Sequence, residues 1–244
     1  MKVARSLAAL AAWTTLVVAP GAHADAPDAA SVTLAHHDVS LPVPADFADP
    51  SSTPPEQRVL AERLTPANNR LLALILTQDY LAHRAAGDKP HMSRYMLVQT
   101  IRAVEDSGVD ATTFERLKAQ FHQNADAWLA KARETAKPQA DAAIHEVGKQ
   151  IGDPTISVEL GTIKSLGIFD EHPDSIALAT VQPIAATTAS GQHAFNQVMA
   201  YAVVLVDRRP VLAALYSDYD SQADIDWAEQ RMRAWIARIH ELNP

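Results

Sequence analysis

The sequence predicts an α+β domain, an antiparallel sheet of about six or seven strands with helices packed on it, and three observations lead there. Apolar and polar residues alternate through the last third of the chain in runs of strand length. The connections between those runs are short, which suits antiparallel neighbours because parallel strands need long crossovers. Between Thr112 and Ile151 the apolar spacing changes to threes and fours, the period of a helix. A second stripe of that kind closes the chain, and an amphipathic helix needs an apolar surface to cover.

The first 24 residues stand apart from this domain. Lys2 and Arg5 give a positive start, Leu7 to Ala19 carries no charge, Pro20-Gly21 breaks any helix, and Ala22-His23-Ala24 offers small residues at both cleavage positions. That is the pattern of a secretory signal peptide cut after Ala24. Its apolar run of 13 residues is shorter than the roughly 20 that span a bilayer, so the expectation is a soluble periplasmic protein without a transmembrane anchor in the mature chain.

Residues 25–31 are rich in Ala, Asp and Pro and read as a flexible lead; residues 32–244 read as a single domain. Val32 to Leu41 is a strand closed by Pro42 and Pro44, neither of which can donate to a ladder. Asp46 to Pro55 is a polar loop, and Glu56 to Leu64 a short helix entered through Pro54-Pro55, which suit a first turn. Leu71 to Thr77 is a continuous apolar run of strand length. Gln78 to Ala86 is a brief helix ended by Gly87, and Tyr95 to Ile101 is another strand.

In the long helical block near 110–151, Phe114, Leu117, Phe121, Ala125, Trp128 and Ala132 share one stripe, which is best read as core. Asp110 or Thr112 can cap it, with Glu115 placed for a capping box on Thr112. Pro138 is expected to end or kink the helix, and Ala140 to Ile151 to resume it, closing near Gly148 or Gly152. Strand residues follow at Ile156 to Leu160, continued by Ser165 to Phe169. A turn over Asp170 to Asp174 leads to Ser175–Ala186, and a turn over Thr187 to Gln192 to the long run Val198–Val206. Asp207 to Pro210 makes a tight turn before Val211–Tyr216. Ile225, Ala228, Met232, Trp235, Ile239 and Leu242 then form the stripe of the closing helix, with Trp227 off it as a patch or edge cover.

Composition excludes several classes of function. If the leader is removed, the 21 basic residues lose Lys2 and Arg5, leaving 19 against 29 acidic ones, and an acidic surface repels phosphate backbones. Nucleic acid is therefore not an expected partner. No cysteine is present, which removes disulfides, thiol catalysis, thiolate metal sites and a lipidated cysteine anchor. Only eight glycines occur, and no phosphate-cradling loop or nucleophile elbow can be written from them.

The constellations that remain have plain readings beside them. Asp218, Asp220, Asp224, Asp226 and Glu229 fall at calcium-loop spacing, but Ala223 stands where the sharp turn needs glycine. The plainer reading is that Ser221 caps the last helix while Asp224 and Asp226 complement its dipole. His36-His37 are adjacent and would point to opposite faces of a strand, and His145-Glu146 lacks a second histidine ligand. Asp170-Glu171-His172 reads as a polar turn that can also host acid–base chemistry. The reading is accordingly no catalytic residue, no metal ligand and no cofactor.

The strand ending Val39-Ser-Leu-Pro42, the meander, the strand pair Tyr201 to Tyr216 about a charged turn, and Ser221-Gln-Ala-Asp-Ile225 leading into a long closing helix resemble the PsbP-like and DcrB-like α/β/α sandwich domains. The resemblance covers 32–42 and roughly 155–242, and it implies a non-enzymatic exported protein that binds or supports a complex. The expected partner is an envelope protein or a small ligand. Two alternatives stay open: a hydrolase or metal-dependent enzyme assembled from His36, His83, His91, His172 and the acidic turns, and a small-ligand carrier with an apolar pocket between sheet and helix.

Overall fold

A computed structural model describes residues 29–88, 90–151, 155–189 and 191–244 of the chain. The expected signal peptide and cleavage after Ala24 fall outside the described residues. The fold is α+β, as the sequence predicts. A seven-stranded antiparallel sheet follows the order β3 (Asn69–Leu76), β4 (Arg94–Ile101), β9 (Arg209–Asp218), β8 (Gly191–Val206), β7 (Ser175–Thr188), β5 (Ser157–Leu160), with β6 (Lys164–His172) also on β7. Its helices are α1 (Pro55–Leu64), α2 (Gln78–Ala85), α3 (Ala111–Ile151) and α4 (Gln222–Leu242).

Three local readings are corrected by the structure. Val32 to Leu41 is not one strand but a hairpin of β1 (Ala29–Leu34) and β2 (His37–Pro42), beginning three residues inside the supposed lead. Its turn residues Ala35 and His36 both have positive φ (50° and 67°), the geometry that hairpins usually give to Asn-Gly, so the sequence carries no turn signal there. Tertiary contacts hold it instead: the Ala35 N–H donates to Glu105 at 3.3 Å and Arg70 donates to the Thr33 carbonyl at 2.9 Å.

The second correction concerns α3. Pro138 does not end it; the non-helical residue is Asn124 (φ −151°, ψ 42°). Beyond this break Asp126 accepts the Ser165 N–H at 3.1 Å, and the rings of Phe121 and Trp128 meet edge-to-face at 4.7 Å, so packing on β6 fixes the bend. Asp110, not Thr112, caps the start, accepting the Thr113 N–H at 2.7 Å, while Glu115 pairs with Lys118. Third, Asp170 to His172 belong to β6, and the turn shrinks to Pro173-Asp174. β5 and β6 are separate strands on one side of β7. Between them Gly161 donates to the Pro183 carbonyl at 2.7 Å, an approach so close that a Cβ would stand 2.9 Å from the proline ring.

One face of the sheet is covered by α4 and the β1–β2 hairpin. Ala200, Ala202 and Ala213 on the strands let the helix lie close, and Met232, Trp235, Ile236 and Ile239 fill the interface with Leu34, Val39 and Leu41. The opposite face is shared. Ala61 of α1 and Tyr80 of α2 pack on Leu74 and Leu76, while Phe114, Phe121 and Leu129 of α3 pack on Ile176, Leu178, Val203 and Leu212. Between those clusters Tyr95 and Tyr216 stack at 4.5 Å, and burial pushes the Tyr216 phenol up to about 12.

Candidate functional site

The β4 start, the β9 end and the first turns of α2 and α4 converge at one end of the sheet. The loop after β2 completes this convergence by acting as an extra edge: Phe47 bridges Thr77, and Ala48 donates to the Leu76 carbonyl at 2.9 Å. Thr77 caps α2 by accepting the Tyr80 N–H. The result is an open polar cleft of about 520 Å³ lined by Asp46, Asp79, Asp218, Asp220, Asp224 and Arg94, among others.

Most of these charges already face one another. Asp218 lies 2.8 Å from Nε2 of His91, Asp46 lies 2.7 Å from Arg231, and Asp79 lies 3.7 Å from His83. Ser221 is the N-cap of α4, as the plainer sequence reading expects, and Asp224 in the first turn accepts the N–H groups of Asp220 and Ser221 at 3.1 Å to complete a capping box. Asp226 accepts from the Gln222 amide and Glu229 pairs with Arg233, and the calcium-loop spacing corresponds to a strand end and a capped helix. Arg94 donates to Ser217 at 3.3 Å, lies 3.6 Å from Asp224, and places its guanidinium 4.1 Å from the centre of the Trp227 ring.

The histidines do not come together. His36 is in the β1–β2 turn, His83 on α2 with Asp88 at 2.9 Å, His91 on the approach to β4, and His172 at the end of β6 with Asp170 at 3.5 Å. Hydrogen bonding to Asp88 raises the His83 pKa, with Asp79 adding to it. Among the described residues no group of three or more His, Asp or Glu side chains is placed to hold a metal ion. Glu171 joins another network, accepting from His122 at 2.8 Å and lying 3.3 Å from Lys118. The His122 hydrogen bond holds its carboxyl below the usual range, and Lys118 reinforces this. Burial works against the charge on Lys118, but Glu115 and Glu171 outweigh it and raise its pKa.

Sequence reasoning missed Asp46, Asp79 and Arg94 as members of this cleft. They come from a loop, a helix and a strand far apart in sequence, and only the pairing of β4 with β9 brings Arg94 opposite Ser217. Thr77, with Asp79 in the first turn of α2, was the one local signal available.

No protein-family model matches the chain, and no curated protein matches it. Among solved structures, the Ran-binding protein Mog1p of Saccharomyces cerevisiae is similar at a TM-score of 0.31 and 11% identity, over 88% of this chain and 92% of that one. Among the described residues no helix is long and apolar enough to cross a membrane.

Proposed function

We propose that the chain is an exported, non-catalytic binding protein with an accessory role in the periplasm, directed to envelope maintenance. The observation that supports a binding role is the state of the charges in the cleft. Most of its carboxylates already hold partners, among them arginines, histidines and a helix terminus, so the cleft presents a fixed pattern of paired charge suited to docking a complementary group. An open anionic surface of this kind recognises a cation-bearing group on an envelope protein or a small ligand. The leader-like residues 1–24 support the compartment.

The reading is tested in two parts. Cell fractionation with N-terminal sequencing is expected to find a periplasmic protein beginning at Asp25, and a cytosolic protein retaining Met1 would remove the compartment. A panel of ester, peptide, glycoside and phosphate substrates is expected to show no turnover. Turnover that disappears in Asp218→Asn or Arg94→Ala would establish a hydrolase in its place.

A further inference from the structure

The β7–β8 hairpin runs past the rest of the sheet. β8 pairs with β7 from Gly191 onward but with β9 only from Gln197, opposite Asp218. The last backbone contact on the β9 side of the hairpin is the Tyr219 N–H donating to the Asn196 carbonyl at 2.9 Å. Residues two apart on a strand aim their N–H and C=O groups the same way. Ala194 and Gln192 therefore present theirs on the side that Asn196 does, where no strand is paired among the described residues.

Sheet edges are normally guarded by lysine, proline, a bulge or an inward charge. Gly191-Gln-His-Ala-Phe-Asn196 has none of these, and its register with β7 is unbroken. The neighbouring strand β5 adds one acidic residue, Glu159, so this arm is a nearly neutral patch on a chain of net charge −8. Register places Phe195, Ile184 and Leu160 side by side on one face of the arm, where they line an open groove of about 340 Å³.

We propose that this edge is a homodimer interface, in which two copies pair antiparallel about a two-fold axis at His193 and join their sheets. The open backbone groups call for an extended strand, and three features make that strand a second copy. With His193 opposite His193, Gln192 of each copy faces Ala194 of the other, and both residues exchange their N–H···O=C bonds while the Asn196 carbonyl stays with Tyr219. The same register sets Phe195 of one copy opposite Gly191 of the other, a large ring over a residue without a side chain. The run carries no acidic or basic side chain beyond His193, so pairing with itself brings no carboxylates together. This inference goes beyond the binding role proposed for the cleft and does not rest on it.

The chain has no cysteine, so His193→Cys supplies a single thiol. Opposed residues at a non-hydrogen-bonded antiparallel position lie about 4.5 Å apart at Cα, within disulfide range. Sedimentation velocity on the full chain is expected to show a monomer–dimer equilibrium. With diamide, His193→Cys is expected to cross-link roughly tenfold faster than an exposed Ser51→Cys control, because pairing raises the local thiol concentration. Ala194→Pro deletes an N–H that the β7 ladder does not use and is expected to give a monomer with an unchanged far-UV spectrum; Ala194→Lys does the same by placing charge on the edge. A chain that stays monomeric at its highest soluble concentration overturns the proposal. So does a dimer that survives both Ala194 variants, or a cross-linking rate equal to the control's.

Discussion

The guanidinium of Arg94 lies over the Trp227 ring, 4.1 Å from its centre, and so ties the start of β4 to the second turn of α4. The stack also explains why Trp227, which lies off the helix's apolar stripe, is partly buried against the core. A double-mutant cycle of Arg94→Ala and Trp227→Leu is expected to give a coupling energy of about 0.5–1 kcal/mol by urea unfolding. Additive effects would mean that ring and cation contribute separately.

Glu105 gives a pH dependence of known sign. Hydrogen bonding from Arg70 holds its carboxyl below the usual range, and the Ala35 N–H adds to this. A depressed carboxyl stabilises the fold above the unfolded-state pKa, and that contribution is lost as pH falls through the folded value. Glu105→Gln is expected to cost about 1 kcal/mol at pH 7 and to flatten the acid limb of the stability curve below about pH 5. Urea midpoints measured across that range check it.

The β1–β2 turn holds Ala35 and His36 at positive φ, where asparagine and glycine are more comfortable. Ala35→Asn with His36→Gly is expected to raise stability by about 0.5–1 kcal/mol, read as a higher thermal midpoint. A fall would show that the Ala35 contacts with Glu105 depend on the native side chains.

Met232 is fully buried between α4 and the alanine-rich strands, whereas Val59 on α1 is 44% exposed. Met232→Ala is expected to cost about 2–5 kcal/mol, and Val59→Ser to stay within about 0.5 kcal/mol of the parent. Chemical denaturation of the two variants side by side gives the contrast.

The fold class, the strands from Ser175 to Tyr216 and the capped closing helix were legible because period and burial coincide there: Val198, Ala200, Ala202 and Val204 face the helix one after another. What could not be read was set by contacts distant in sequence. The bend at Asn124 follows from Asp126 reaching Ser165, and the Ala35-His36 turn from Glu105 and Arg70, neither of which leaves a local mark. Three members of the cleft, Asp218, Asp220 and Asp224, stood out by spacing, but in the pattern of a calcium loop, whereas the structure makes that stretch a strand end and the approach to a capped helix. Asp46, Asp79 and Arg94 had no pattern to find, since the sheet alone gathers them.

Trp235 donates to the Pro42 carbonyl, and the Asn243 amide both accepts from and donates to the Ser40 backbone, links that span 193 and 203 positions. Such distant partners make folding slow to nucleate, since a very large loop must close before they form. A ribosome-bound chain still lacking α4 leaves Leu34, Val39 and Leu41 without their roof, so the hairpin docks only after α4 has emerged. The polypeptide thus remains unlocked until α4 is free to fold.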